Sequence, residues 1–252
     1  LKWAGGKRWL VPHLLPIWEA YSQCRLVEPF CGGLAVVLNL SPERALLNDS
    51  NPHLINFYQQ LRRGLKAKLP FSNDEEFYYV SRERFNDLIR QEEALCSEAA
   101  QLFYFLNRTG YNGLCRFNSQ GFFNVPFGRY KTITYQRNFQ PYKAIFKPWR
   151  FTSCDFQKIK IKPGDFIYAD PPYDVPFVNY AREGFTWADQ VRLAEWLAKQ
   201  EVPVVVSNQA TARIIDLYNA HGFNIELIDA PRRIACNGNR ESVKEVLATR
   251  GL

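Results

Sequence analysis

Short apolar runs alternate with stretches of helical period along most of the chain. Asp165-Phe166-Ile167-Tyr168-Ala169 carries bulky β-preferring residues and stops at Asp170-Pro171-Pro172-Tyr173. A run of that length, bounded by turn residues, reads as a buried strand ending in a rigid turn. Comparable patterns at residues 26–30, 44–49, 151–156, 202–207, 224–229 and 243–249 bring the predicted strands to seven. Helical patterns lie between them, at residues 8–21, from Leu34 onward, at 51–63, at 187–199 with Thr186 as N-cap, and at 211–221. Strands alternating with helices predict a mostly parallel sheet. Residues 224–249 hold two strand patterns and no helical one, so one or two antiparallel strands are expected at that end.

Residues 52–142 interrupt this alternation. Phe77, Val80, Phe85 and Leu88, then Leu95, Ala99, Leu102 and Phe103, recur at helical spacing, and after Asn107 the pattern gives way to Gly, Asn, Phe and Arg. The segment reads as an inserted, mostly helical recognition domain, which divides the chain into residues 1–51, 52–142 and 143–252. Charge supports a separate role for part of it. The net charge is +7, yet residues 99–154 contain no Asp or Glu and carry eight basic side chains. The rest of the chain is close to neutral, and the acid-free segment also holds 15 of the 38 aromatic residues. Basic groups interleaved with aromatics suit phosphates and exposed bases; the competing reading is a solvated basic face with its aromatics in the core.

Composition excludes other classes. With 46% hydrophobic and 23% charged residues the chain resembles ordinary soluble globular proteins, and no apolar run is long enough to span a bilayer. Cys24, Cys31, Cys96, Cys115, Cys154 and Cys236 show no CxxC spacing, and the three histidines have no neighbouring candidate ligand. That pattern argues against a zinc site and for a reduced, intracellular chain.

Candidate chemistry centres on the turn after residue 169, because ligands of open α/β sheets bind outside the carboxyl ends of strands. Asp170 only accepts hydrogen bonds at neutral pH, Pro171 and Pro172 hold the backbone rigid, and Tyr173 offers a flat face and a hydroxyl. An amino group on a planar ring fits these features: its N–H bonds can go to Asp170 and the Pro171 carbonyl while the ring lies on Tyr173. An ordinary strand-ending turn remains the alternative. Lys2-Trp3-Ala4-Gly5-Gly6-Lys7 offers a cation, an apolar plate and close backbone approach, or is a loop before a helix; the phosphate-loop spacing is absent. Glu28-Pro29-Phe30-Cys31-Gly32-Gly33 has the strand–glycine–helix form that cradles nucleotide-like ligands. Asp49 lies where such folds place a ribose-binding acid, although Asn48, Asp49 or Ser50 could instead cap the next helix.

In order along the chain, Lys2-Trp3-Ala4-Gly5-Gly6-Lys7, Glu28-Pro29-Phe30-Cys31-Gly32-Gly33, the Asn48-Asp49-Ser50-Asn51-Pro52 turn, the loop from Asn107 to Asn118, Asn124-Val125-Pro126-Phe127-Gly128-Arg129-Tyr130 and Asp170-Pro171-Pro172-Tyr173 together resemble the DNA adenine methyltransferases of the Dam type. The resemblance covers nearly the whole chain. It implies a Rossmann-like methyltransferase fold with a seven-stranded sheet and an inserted target-recognition domain. It also implies methyl transfer from S-adenosylmethionine to the N6 amine of an adenine flipped out of double-stranded DNA, with GATC as the site. Asp170, Pro171, Pro172 and Tyr173 are then catalytic, while Trp3, Lys7, Phe30, Gly32, Asp49, Asp155, Phe156 and Asp170 contact the cofactor. Lys2, Tyr111, Asn112, Leu114, Arg116, Asn118, Pro126 and Arg129 contact DNA. No metal, membrane or obligate protein partner is implied, and the location is cytoplasmic, on the nucleoid. Leu34 stands where the family usually has a second loop glycine, so close approach there must come from Gly32 and Gly33. Related readings are amino-methylation of cytosine, RNA or a protein amide, separable by the product nucleoside. A reading of another class is an inactive, cofactor-sensing DNA binder, against which the intact Asp170 turn and Lys7 stand.

Overall fold

The apolar runs form seven strands: β1 (Arg25–Glu28), β2 (Ala45–Asn48), β3 (Trp149–Thr152), β4 (Asp165–Ala169), β5 (Val204–Gln209), β6 (Asn224–Asp229) and β7 (Lys244–Arg250). In the computed structural model of the chain, residues 1–174, 184–230 and 244–252 are described. The sheet order is β3-β2-β1-β4-β5-β7-β6. β1 runs parallel to β2 and β4, and β4 to β5, whereas β7 is antiparallel to both β5 and β6. The fold is therefore α/β with a mostly parallel sheet, and the expected reversal at its end is the single strand β7. Every residue of β2 and β4 is buried, as a sheet covered on both faces requires.

Eight helices accompany the strands among the described residues: α1 (Val11–Ala20), α2 (Val37–Leu40), α3 (Pro52–Arg63), α4 (Glu75–Arg90), α5 (Ser97–Thr109), α6 (Gln140–Phe146), α7 (Trp187–Ala198) and α8 (Ala212–Ala220). Thr186 caps α7 in a reciprocal box with Asp189, which satisfies backbone donors that the first turn leaves open. Thr211 caps α8 in the same position.

The chain divides into two compact units. One comprises Leu1–Gly6, Gly32–Ala35 and Asp49–Ser153; the other comprises Lys7–Cys31, Val36–Asn48 and Cys154–Leu252. The first is built on aromatic rings: Phe57 stacks on Tyr104 at 5.5 Å, Phe71 on Phe105 at 6.2 Å, and Phe146 on Trp149 at 5.3 Å. The second is an aliphatic core in which Val27, Ile167, Val204 and Val206 meet Leu193 and Leu197 of α7 and Ile214 and Tyr218 of α8.

Four expectations are corrected. The strand pattern at residues 151–156 ends at Thr152, and Phe156–Lys158 form a 3₁₀ turn. The cause is the Asn48 side chain, whose amide bonds both the N–H and the carbonyl of Cys154 and so takes the place of a ladder partner. The helix expected from Leu34 starts only at Val37, because Leu34 sits at φ 59°, a left-handed conformation that cannot enter a helix. The cap of α3 is Asn51, whose side chain accepts from His53 N and Leu54 N, not one of the three residues before it. Lastly, Phe103, Tyr104, Phe105, Phe123, Phe139, Phe146, Trp149 and Phe151 are buried, so most aromatics of the acid-free segment build a core and do not present stacking faces. Arg129, Lys131, Arg137, Lys143, Lys147 and Arg150 of the same segment are exposed.

Candidate active site

Asp170 follows the last residue of the central strand β4, and Lys7 meets it there. The Lys7 side chain is 3% exposed, with Nζ 3.0 Å from Asp170 Oδ1 and 3.6 Å from Glu245 Oε2. Lys7 also donates to the Tyr173 hydroxyl and lies 4.1 Å from the centre of that ring. Ser207 Oγ, beside the Tyr168 hydroxyl at 2.9 Å, donates to Asp170 Oδ1 at 3.1 Å. Burial pushes the Asp170 carboxyl up to about 6, against the pull of Lys7 and Ser207 and with the Glu245 charge adding to the rise. Glu28, at the end of β1, is held well above the usual carboxylate range by burial and by the Asp170 charge, with the Val37 N–H opposing. Lys7 thus faces two acids, Asp170 and Glu245, while Glu28 is buried close enough to feel the Asp170 charge. Among the described residues Glu28 Oε1 has no hydrogen-bond partner.

The turn itself is anchored on both sides. Gln190 Nε2 donates to the Pro172 carbonyl at 2.8 Å, and buried Asp174 takes both donors of the Arg213 guanidinium fork. Phe30 packs on Phe156 at 5.7 Å and edge-on to Phe185 at 5.5 Å. Asp155 caps the 3₁₀ turn through Gln157 N and accepts from Arg192. Burial alone would raise its carboxyl, but these partners hold it below its ordinary value. Glu28, Glu245, Ser207, Gln190 and Asn208 escaped the sequence reading. Glu28 left a trace, an acid inside an apolar run; Glu245 left none, since only the antiparallel register Gln209↔Glu245 brings it here.

The first unit holds the remaining residues. A Cβ on Gly32 would stand 2.6 Å from Trp3 Nε1, and one on Gly33 would stand 2.8 Å from Trp3 Cβ. The glycine pair therefore makes room for the Trp3 indole. Asp49 Oδ2 accepts from Gly32 N at 3.1 Å and Oδ1 from Asn51 N at 3.0 Å; burial raises its carboxyl and these two bonds oppose the rise. Asn51 Nδ2 donates to Cys115 Sγ at 3.3 Å, and burial pushes that thiol up to about 12.

The loop after α5 is pinned at its base and open at its tip. Asn107 accepts from Lys2 N and donates to the Lys2 carbonyl, both at 2.8 Å, and Lys2 Nζ lies 3.4 Å from the centre of the Tyr130 ring. Tyr111 is 50% exposed, Leu114 is also exposed, and Asn112 takes φ 51°. Tyr111 N donates to the Pro126 carbonyl at 2.9 Å. Arg116 is fixed by Asn124, through Nε to Oδ1 at 2.8 Å and Nη2 to the carbonyl at 3.2 Å. Asn118 Oδ1 accepts from Gln120 N and Phe122 N, closing the hairpin tip. Arg129, 79% exposed, approaches Glu75 at 3.6 Å. Among the described residues no helix is long and apolar enough to cross a membrane, and no group of three or more His, Cys, Asp or Glu could hold a metal ion.

Residues 3–234 match the D12 class N6 adenine-specific DNA methyltransferases. The chain is 35% identical over 265 residues to the retron Ec67 DNA adenine methylase of Escherichia coli, covering 100% of this chain and 90% of that protein. It is 38% identical over 272 residues to a DNA adenine methylase of Vibrio cholerae, covering 98% and 94%. It is 35% identical over 273 residues to the type II methyltransferase M1.LlaDCHI of Lactococcus lactis, covering 98% and 93%. A match across nearly the full length, joined to an Asp-Pro-Pro-Tyr turn at the end of β4, means that the chain belongs to the D12 class of N6 adenine-specific DNA methyltransferases.

Proposed function

We propose that this adenine-specific DNA methyltransferase takes its methyl group from S-adenosylmethionine and delivers it to an adenine turned out of the duplex, within GATC. The observation that carries the chemistry is the Asp170 carboxylate, fixed at the end of β4 by Lys7 and Ser207. An exocyclic adenine amine is a poor nucleophile because its lone pair is delocalised into the ring. Accepting its two N–H bonds at Asp170 and at the Pro171 carbonyl localises that pair and draws the nitrogen toward tetrahedral geometry. Asp170 Oδ1 serves Lys7 and Ser207, so Oδ2 is the oxygen assigned to the substrate. S-adenosylmethionine supplies, when bound, an electrophilic methyl carried on a cationic sulfonium. Positioning the two reactants in line is the main contribution of the protein. The methylated nitrogen is acidic and loses its proton to Asp170 or to water, so neither a strong base nor a covalent intermediate is needed.

The side chains suit that donor. A cationic sulfonium is favoured near a cluster in which one lysine faces Asp170 and Glu245 beside buried Glu28. The hydroxyl pair of a ribose suits Asp49, whose oxygens each keep acceptor capacity after one backbone bond. Trp3, Lys7, Phe30, Gly32, Asp155 and Phe156 are assigned to the same ligand. Because the target nitrogen lies inside the duplex, the base must leave the stack at a cost of a few kcal/mol; a base lying on Tyr173 would take the ring face away from Lys7. Residues 52–142 are assigned to target recognition, with Lys2, Tyr111, Asn112, Leu114, Arg116, Asn118, Pro126 and Arg129 on the DNA, and GATC rests on the likeness of this loop to the Dam type.

The test is transfer of labelled methyl from S-adenosylmethionine to two duplexes, one with a central GATC and one with those four bases scrambled. Label on adenine of the first duplex alone is the expected result. Label on both removes GATC, and label on neither removes the proposed donor or the duplex substrate.

A further inference from the structure

Consecutive residues of a strand point to opposite faces of its sheet, and β5 uses this to hold the Asp170 turn from both sides. The register Ala169↔Val206 brings Ser207 level with Asp170 and Asn208 level with the prolines. On one face Ser207 reaches Tyr168 and Asp170, which share a side of β4. On the other face Asn208 Nδ2 donates to Gln190 Oε1 at 3.0 Å and to the Tyr218 hydroxyl at 3.1 Å. Gln190, Asn208 and Tyr218 are at most 1% exposed.

The direction of this chain of bonds is determined. Asn208 Oδ1 accepts from Gln209 N at 2.9 Å, so the Asn208 amide nitrogen must face Gln190. Gln190 therefore presents its oxygen to Asn208 and its nitrogen to the Pro172 carbonyl, 2.8 Å away. Pro171 precedes a proline and is restricted to extended geometry, in which successive carbonyls point to different sides. Tying the Pro172 carbonyl to α7 restrains Pro172, whose φ is fixed by its ring, and so restrains the Pro171–Pro172 peptide plane that carries the Pro171 carbonyl.

We propose that Gln190, held by Asn208 and Tyr218, is a positioning residue for methyl transfer: it fixes the Pro172 carbonyl and so aims the Pro171 carbonyl at the adenine amine. This rests on the assignment of Asp170 and Pro171 as the amine's acceptors. A displacement on the order of 1 Å at a reacting centre is worth about 100-fold in rate, so losing this tether should lower the rate about 10- to 100-fold without touching the DNA-reading loop.

Single-turnover methylation by Gln190→Met and Gln190→Glu tests this, together with DNA and S-adenosylmethionine affinities and thermal unfolding. Gln190→Met keeps the volume and removes both bonds; its transfer rate should fall at unchanged affinities. Gln190→Glu gives a signature that a packing role would not. A protonated glutamic acid can donate to the Pro172 carbonyl while accepting from Asn208, and an ionised one cannot. The ratio of its rate to that of the unaltered enzyme should therefore climb as pH falls from about 8 toward 6.5, the window above the Asp170 titration near 6. A flat ratio, a Gln190→Met rate within twofold of the parent, or a loss of rate matched by the loss of DNA affinity overturns the proposal. Asp170→Ala separates the two levels: if it stays active, the assignment of the acceptors fails; if it is inactive while Gln190→Met is unimpaired, only the role of Gln190 falls.

Discussion

Asp170 is held at a cost to stability, and the charges around it give the sign. Its carboxyl titrates near 6 in the fold against about 3.9 in an unfolded chain. A folded value above the unfolded one means that the carboxyl weakens the fold as pH rises through that window, by about 3 kcal/mol once it is passed. Lys7 is shared with Glu245 and keeps a partner when Asp170 is neutralised. Asp170→Asn should therefore unfold at a higher temperature than the parent at pH 7.5, with the gap closing by about pH 4, while methyl transfer is abolished and DNA binding is retained. Parallel melting curves at the two pH values decide it; a lower melting temperature at pH 7.5 would mean the Lys7 pair outweighs the burial of charge. Leu34 sets a similar contest. Its φ of 59° costs a non-glycine residue about 1–2 kcal/mol, but its side chain is 2% exposed and deleting a buried leucine costs about 2–5 kcal/mol. Leu34→Gly should then destabilise by about 1–3 kcal/mol, seen as a lower midpoint in urea, despite restoring the glycine usual in the family. Asp170 was legible in the sequence because a strand that ends in Asp-Pro-Pro announces its own turn locally. Glu245 was not, because its approach to Lys7 depends on how β7 pairs with β5, which no local pattern encodes.

The same division between local and distant causes runs through the elements. β4 and β6 end where their apolar patterns end, and α7 and α8 begin after threonines whose side chains cap them. The pattern misled where a side chain from elsewhere took over the backbone, as Asn48 does at Cys154, and where aromatic density was read as surface although it forms the core of α3, α5 and α6. The loop after α5, proposed above to contact DNA, shows the consequence. Arginine suits a guanine edge through two parallel donors, and Arg116 already commits Nε and Nη2 to Asn124, which sets the direction of the remaining guanidinium edge. Arg116→Ala should relax sequence preference, and Asn124→Ala should do so more weakly by leaving the arginine unsteered. Competition between duplexes differing at one base pair measures both; a uniform loss on every duplex would reduce Arg116 to a phosphate contact.

At the scale of the whole chain, the acid-free segment is the source of the net charge of +7, and with most of its aromatics in the core the contribution to DNA binding proposed for it is expected to be electrostatic. Exposed Arg129, Lys131, Arg137, Lys143, Lys147 and Arg150 are the groups able to displace counterions from a duplex. Each phosphate neutralised adds about −0.9 to the slope of log affinity against log salt concentration. If all six engage, affinity for a duplex of any sequence should fall about a thousandfold between 50 and 200 mM salt. Arg129 is the cleanest single probe, since its side chain is 79% exposed and its ion pair with Glu75 is long; a surface pair of that kind contributes at most about 1 kcal/mol to stability. Arg129→Gln should therefore leave unfolding unchanged, weaken binding to all duplexes alike and reduce the salt slope by about one. Lys160→Gln removes an exposed charge outside the segment and should leave the slope as it was. Equal slopes for the two variants would mean that the charge asymmetry of the sequence does not mark the face that meets DNA; a loss confined to one base sequence would make Arg129 a reader of bases, not of phosphates.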